Sequence, residues 1–553
     1  MQGVFLDITL MLTLAVALGI VFRALRQPEI LAYMLAGIII GPLGLFRLHE
    51  PEAMHAFSEI GITLLLFILG LELKLSELRS VGKVALITGI GQILFTSLIG
   101  FGICLLLGIS PIASVYLSVA LTFSSTIVIV KLLSDKKDLN SLYGKVAIGF
   151  LLVQDFVAII ALIVLAGFAS GEGAALPEAS TFLWLLAKAV LLFGAVVWLS
   201  QKVFPTLIHK LSNSRELLFL FAIAWAFGIS ALVSAPWMGL SIEIGGFLAG
   251  LALANSTESF QIVSKVRSLR DFFITLFFVL LGTNLVFSSI GTIILPALLL
   301  SVFVLVGNPL IVMAIMGVMG FRKRTSFMAG LTVAQISEFS LIVTFMGLRI
   351  GHISPELVSL VTLVAMITFT LSTYAILNSN VLYDWLKPWL RFFEKKSLRD
   401  EYNHDSEKMT DHIVLVGVNR MGRRILDRLK KEKTPVLAVD FDPAVIDQLR
   451  EENIPVLFGD FADPDIREKA QLDRARLLIS TLPDMADNLI VIHSVRSFDL
   501  PVIVAATQEQ DIRELYDAGA HYVVMAYGMV GQMVGDLVAE DKLHQLNSDS
   551  PSK

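Results

Sequence analysis

Residues 144–169 read GKVAIGFLLVQDFVAIIALIVLAGFA, an apolar run with a single acid, Asp155, near its middle. The run is longer than a helix needs to cross the roughly 30 Å hydrocarbon core of a bilayer. A carboxylate at that depth costs about 3 kcal/mol or more, so it belongs where a cavity or a partner meets it. An acid poised in this way holds a proton or a metal cation but not both at once, and that competition is the physical core of exchange transport. The bland alternative is an aspartate paired with a polar neighbour for packing.

Working outward, comparable runs recur along the chain. Thirteen are marked, at about 5–22, 30–46, 57–73, 83–107, 112–132, 144–169, 181–203, 215–234, 240–254, 270–287, 291–319, 326–347 and 357–378. The ninth is short enough for a broken or tilted segment. The first lacks a basic leader and a small-residue cleavage site, so it reads as a span and not as a signal peptide. Every second loop collects the basic residues, among them Arg23, Arg26, Lys74, Arg79, Lys136, Lys137, Lys202, Lys210, Lys265, Arg267, Arg322, Lys323 and Arg324. The intervening loops offer little beyond Arg47 and Arg349. The positive-inside rule then places the N-terminus outside and the segment after the last span in the cytoplasm.

The bulk numbers agree with a chain of two solvents. Hydrophobic residues make up 55% and charged residues 16%, against about a quarter charged in soluble domains. The apolar text ends near Ile376, and from Trp385 onward the composition is that of a soluble protein. A net charge of -5 with no dominant basic patch excludes a nucleic-acid binder. The one cysteine, Cys104, lies in an apolar run and reads as a small packed hydrophobe. The expected organisation is a membrane domain over 1–380, an amphipathic to polar linker over 381–411, a soluble domain over 412–540 and a disordered tail over 541–553.

Two spans carry polar clusters at mid-depth. The fifth reads ALTFSSTIVIVKLL, with Thr122, Ser124, Ser125 and Thr126; the twelfth reads GLTVAQISEFSLIV, with Gln335, Ser337, Glu338 and Ser340. They are seven spans apart, as equivalent members of two repeats would be. Irregular backbone at membrane depth is tolerated where protein or water surrounds it. Paired interrupted helices point to a transporter's midplane site, where half-helix ends supply partial charges and free carbonyls. Serine and threonine that merely back-bond to their own helix are the alternative for either span alone.

These motifs together resemble the monovalent cation:proton antiporter-2 family, in its Kef-type potassium/proton branch. The resemblance rests on LLFILGLELKLSELR (65–79), SSTIVIVKLL (124–133), QDFVAII (154–160), IGGFLAGLALAN (244–255), LFFVLLGTNLVF (276–287) and AQISEFSLIV (334–343), in that order. It implies a polytopic α-helical fold of inverted repeats with crossed discontinuous helices, elevator-like movement of a core, and a homodimer in a bacterial inner membrane. It further implies that Asp155 binds the cation and the proton, with Gln154 beside it and Ser124, Ser125 and Thr126 forming the polar crossing. Relatives that move two protons per sodium have two adjacent acids where this chain has Gln154 and Asp155, so a single carboxylate predicts electroneutral exchange.

Two departures stand out. Many relatives carry Lys or Arg in the eleventh span, where this chain reads LVGNPLIVM with Asn308 and Pro309. A neutral amide cannot compete as a cation, and Asn308 is expected to hydrogen-bond Asp155 instead. Glu243 stands where the family has an apolar or small residue, either lining an entry path or sitting at the lipid interface. Glu338 reads as a cap of its half-helix or as a gate. Gln335 completes the set of supporting residues.

The linker YDWLKPWLRFFEKKSLRDEYNHDSEK (383–408) begins aromatic and basic, which suits a helix lying on an anionic lipid surface. From His412 strands and helices alternate: HIVLVGV, MGRRILDRLKKE, PVLAVD, PAVIDQLREEN and PVLFGD open a doubly wound α/β domain. The first turn is GVNRMG, with Gly417 and Gly422 at the outer positions of GxGxxG and Asn419 in place of the central glycine. Asp440 closes the second strand, where an acid can hydrogen-bond ribose hydroxyls. This region resembles the TrkA-N (RCK, KTN) regulator domain. The resemblance implies an adenine nucleotide (AMP or ATP) or NAD(H) held around Gly417, Asn419, Arg420, Met421, Gly422, Asp440 and Asp460.

No substrate domain or catalytic base follows this Rossmann-like lobe, so it reads as a sensor and not as an enzyme. The overall expectation is a cation/proton antiporter, potassium favoured, regulated by nucleotide. The alternatives are sodium exchange at the same site and a ligand-gated potassium efflux channel. No TVGYG-like filter loop occurs in the sequence.

Overall fold

The computed structural model describes residues 2–43, 48–72, 82–136, 138–139, 141–167, 214–235, 242–254, 259–286, 290–390, 409–418, 420–440, 443–459, 464–482, 485–496 and 500–525, with isolated positions between them. The expected seventh span, most of the 381–411 linker and the 541–553 tail lie outside the described residues. The chain divides into two compact units, a helical one and an α/β one.

The helical unit begins with α1 (Gln2–Ala24), α2 (Glu29–Ile40), α3 (Pro51–Glu72) and α4 (Lys83–Leu106). It continues with α5 (Pro111–Ala120), α6 (Thr126–Asp135), α7 (Leu142–Gly167), α8 (Arg215–Val233), α9 (Ile242–Leu253) and α10 (Ser259–Thr283). After α11 (Ile290–Val302) and a π-helical turn (Phe303–Gly307) come α12 (Asn308–Val318), α13 (Lys323–Leu331), α14 (Glu338–Arg349), α15 (Pro355–Leu377) and α16 (Ser379–Leu386). Among the described residues, seven helices are long and apolar enough to cross a membrane.

Where backbones must meet without a hydrophobic drive, small residues let them approach. A Cβ on Gly250 of α9 would stand 2.0 Å from the Phe67 carbonyl oxygen of α3, and one on Gly282 of α10 2.1 Å from that of Met34 in α2. Met11, Ala15, Ala36, Ile40, Met54, Leu276, Val279 and Leu280 fill the space between α1, α2, α3 and α10.

Helix α4 shows the inverted amphipathicity of a membrane helix. Thr88, Gly89, Gln92, Thr96, Gly100 and Cys104 are buried at helical spacing, while Ile87, Ile90, Leu94 and Leu98 face outward. Its polar stripe thus points into the protein.

The fifth and twelfth spans are both broken. The helix stops at Ala120 and resumes at Thr126; its counterpart stops at Leu331 and resumes at Glu338. Each restart is capped from its own sequence. Ser125 Oγ accepts the Val128 N–H at 3.4 Å. Ser337 and Ser340 form a reciprocal capping box on α14.

The α/β unit has strands β1 (His412–Val416), β2 (Val436–Asp440), β3 (Val456–Phe458), β4 (Ala475–Ser480), β5 (Val502–Ala506) and β6 (Tyr522–Met525). All pair in parallel, in the order β3-β2-β1-β4-β5-β6. Parallel strands covered on both faces read as unbroken apolar runs, and all five residues of β1 are buried. Helices α17 (Arg420–Lys431), α18 (Pro443–Glu451), α19 (Pro464–Lys469), α20 (Met485–Ser494) and α21 (Glu509–Ala518) complete the winding.

Candidate functional site

The two breaks meet. Ser124 Oγ in the first donates to the Gln335 carbonyl of the second at 3.0 Å. Ser340 Oγ of α14 donates to the Ala120 carbonyl at the end of α5. Four half-helix ends therefore share one place, two N-termini with partial positive charge and two C-termini with partial negative charge.

Asp155, half-buried on α7, lies at the N-terminal end of α6, where Thr126 Oγ1 donates to its Oδ2 at 2.8 Å. Gln154 is fully buried and turned to the backbone of the break, its Oε1 accepting the Ser124 N–H at 3.0 Å. Its amide donates to Gln92 Oε1 at 2.7 Å. Gln92 in turn donates to Thr96 Oγ1 at 3.2 Å and to the Thr122 carbonyl at 3.1 Å.

The chain of bonds ends at Asn308. Thr96 Oγ1 donates to Asn308 Oδ1 at 3.0 Å. Asn308 Nδ2 donates to the Leu121 carbonyl at 3.1 Å and to that of Val333 at 3.5 Å. One neutral amide thus bonds a carbonyl from each break, at the point where the π-helical turn passes into α12. The expectation that Asn308 bonds Asp155 gives way to this arrangement: both ends of its amide are taken up by Thr96 and the two carbonyls. Every link from Asn308 to Gln154 is a hydroxyl or an amide.

In the second break, Gln335 Oε1 accepts Ser372 Oγ at 2.8 Å. Glu338 is the first residue of α14 and buried, but the cap itself is made by Ser337 and Ser340. Glu243 lies in α9, and its side chain is outside the described residues.

Gln92 and Thr96 had no motif to single them out. The available signal was a polar pair four residues apart on one face of an apolar span.

In the α/β unit, the crevice between β1 and β4 is where the strand order reverses, the usual place for a nucleotide. Gly417 has φ +80°, open to glycine, and a Cβ on Gly422 would stand 2.0 Å from the Gly417 carbonyl oxygen. Asp440 Oδ2 accepts the Val418 N–H at 2.6 Å, and Thr481 Oγ1 donates to the Gly417 carbonyl at 2.7 Å. The turn is therefore braced from both neighbouring strands. Asp440 sits at the expected end of β2, with one carboxylate oxygen committed to the turn. Met421 is half-buried on α17, which Arg420 opens; Asn419, Asp460 and the Arg420 side chain are outside the described residues. Away from the crevice, Arg423 makes two bonds to Glu452, at 2.6 and 2.8 Å, and holds that carboxyl below its ordinary range.

Discontinuous helices that meet beside a membrane-depth acid are the architecture of a secondary transporter. The chain belongs to the sodium/hydrogen exchanger family, whose transmembrane model matches residues 10–378, and the TrkA-N domain model matches residues 413–526. It is a cation/proton antiporter by class, with a TrkA-N domain appended. It is similar to YbaL of Escherichia coli (strain K12), provisionally named a cation/proton antiporter, at 26% identity over 95% of this chain and 96% of the relative. It is equally similar to KefB of Alkalimonas amylolytica, provisionally named a K(+) efflux antiporter, at 26% identity over 97% of this chain and 81% of the relative. The sodium proton antiporter MjNhaP1 from Methanocaldococcus jannaschii shares the membrane fold at a TM-score of 0.53 and 18% identity, over 69% of this chain and 97% of that one.

Proposed function

We propose that the chain exchanges potassium for protons, one for one, with Asp155 as the shared binding group. The observation that carries this reading is the bond from Thr126, first residue of α6, to Asp155 Oδ2 at 2.8 Å. It sets an acid against a half-helix N-terminus, in a crossing whose remaining bonded side chains from Gln154 to Asn308 do not titrate. The acid holds a proton on one passage and a dehydrated cation on the return. The core carries it between the two faces in an elevator-like movement within a homodimer. Potassium is favoured over sodium by the K(+) efflux name of the KefB relative.

The basic loops favour a bacterial inner-membrane protein with its N-terminus outside and its α/β unit in the cytoplasm. There the crevice at Gly417 and Gly422 takes AMP, ATP or NAD(H), and occupancy sets the transport rate. The glycines leave room for a pyrophosphate against the backbone, and Asp440 stands where ribose hydroxyls would lie. Trp385 and Trp389, both exposed, suit contact of α16 and the residues after it with the lipid surface.

The test is cation-driven proton movement in proteoliposomes with an internal pH dye, for wild type and Asp155→Asn. Potassium and sodium pulses are compared with and without an imposed voltage. Flux that answers potassium, ignores voltage and vanishes in the variant is the expected result. Exchange that survives the substitution overturns the assignment of Asp155, and cation flux without proton movement returns a channel to the front.

A further inference from the structure

Two buried polar atoms in the second break have no hydrogen-bond partner among the described residues, Glu338 Oε2 and Gln335 Nε2. Glu338 is only 7% exposed. It is not needed to end the helix. Ser337 Oγ already accepts the Phe339 N–H at 2.9 Å, and Ser340 Oγ accepts the Ser337 N–H at 3.1 Å. A carboxylate oxygen at membrane depth is retained at high cost unless something meets it.

The surroundings indicate what does. Glu338 lies between two residues bonded to the first break, Gln335, whose carbonyl accepts the Ser124 hydroxyl, and Ser340, whose hydroxyl donates to the Ala120 carbonyl. Thr126 donates to Asp155 at 2.8 Å. Two acids from separate spans thus stand at the crossing of the two breaks, Asp155 bonded to the start of α6 and Glu338 opening α14. The bond from Ser124 Oγ to the Gln335 carbonyl holds the breaks together at this point.

We propose that Glu338 is a direct ligand of the transported monovalent cation, facing Asp155, so that both discontinuous spans build the binding site. The inference rests on the reading of Asp155 as the exchange group and adds a second oxygen donor to it. Two acids around one monovalent cation balance in charge when one of them keeps its proton. The exchange then remains one cation per proton.

The potassium dependence of proton flux is measured in proteoliposomes of the full chain, for wild type, Glu338→Ala, Glu338→Gln and Asp155→Asn. Loss of an oxygen ligand is expected to raise the KM for potassium about tenfold or more in Glu338→Ala, with the maximal rate held within about threefold. Glu338→Gln keeps an oxygen donor and replaces the retained proton with an N–H, so its KM stays within about threefold of wild type. A wild-type KM in Glu338→Ala overturns the proposal. So does a silent but folded Glu338→Gln, which would make Glu338 an obligatory proton carrier. Should Glu338→Ala fail to fold, Glu338→Asp carries the test by withdrawing the carboxylate one methylene; a severalfold higher KM is expected and an unchanged one overturns it. Exchange that persists in Asp155→Asn defeats the underlying assignment separately, whatever Glu338 does.

Discussion

Thr126 donates its hydroxyl to Asp155 at 2.8 Å, tying the first residue of a ten-residue half-helix to the acid on α7. The bond links the break in one span to the group proposed to exchange its load. Replacing Thr126 with valine keeps the shape and removes the donor. A hydrogen bond to a charged group is worth about 1.5–3 kcal/mol, so cation affinity in the vesicle assay should fall about tenfold or more. Thr126→Ser, which restores the hydroxyl, should recover most of it. Equal KM values in all three proteins would show that the bond does not act on binding.

Asn308 makes a structural prediction of a different size. Its amide serves Leu121, Val333 and Thr96 at once, with no exposure to solvent. Asn308→Ala leaves buried carbonyls without a donor, each costing about 1–3 kcal/mol. Thermal unfolding in detergent should show a lower midpoint for this variant. Asn308→Asp should be worse, because it adds negative charge where two half-helix C-termini already carry partial negative charge. A melting curve for the aspartate variant at or above that of the alanine variant would contradict this account.

Coupling along the chain of amides can be measured in the same way. Gln92 and Gln154 meet at 2.7 Å and are both fully buried. A double-mutant cycle with Gln92→Leu and Gln154→Leu should return an interaction energy of about 0.5–3 kcal/mol in stability. Additive losses would mean that the two amides act independently.

The elements announced by the sequence were those that break a pattern. Asp155, the serines and threonine of 124–126 and the 335–340 cluster are polar residues in apolar runs, and each falls at the crossing. Gln92 and Thr96 are equally central, but a polar pair on one face of a long helix also fits simple back-bonding. Asn308 was visible as a departure, and its direction was not, because the π-helical turn before it is a property of packing. Glu338 was read as a cap or a gate, whereas Ser337 and Ser340 supply the cap. Local sequence could not decide between neighbouring residues able to do the same work. In the α/β unit the glycines at 417 and 422 were legible because backbone geometry leaves them little choice.

Gly422 gives the sharpest test of the regulatory crevice. A Cβ there would stand 2.0 Å from the Gly417 carbonyl oxygen, a backbone atom that cannot move aside without opening the turn. Gly422→Ala should weaken nucleotide binding to the full chain about tenfold or more, or at least about 1.4 kcal/mol. Calorimetric titration with NAD(H), AMP and ATP reads this directly. Transport measured without nucleotide should be unchanged. Unaltered nucleotide affinity would place the ligand elsewhere.

His412 predicts how the α/β unit responds to acid. It opens β1 with no solvent exposure, and its Nε2 lies 3.2 Å from the Ala470 carbonyl oxygen. Burial, the largest influence, lowers its proton affinity below the ordinary range. The folded state therefore holds the ring neutral while the unfolded chain binds a proton below about pH 6.5. Because the unfolded state binds more protons in that window, the contribution to stability is present above about pH 6.5 and is lost as pH falls toward the folded value. Hydrogen-exchange protection of β1 in the full chain, taken relative to the intrinsic exchange rate at each pH, should fall on acidification from neutral pH. His412→Phe, which keeps a ring in the core and removes the titrating group, should flatten that dependence. An equally steep acid response in the variant would assign the loss to other groups.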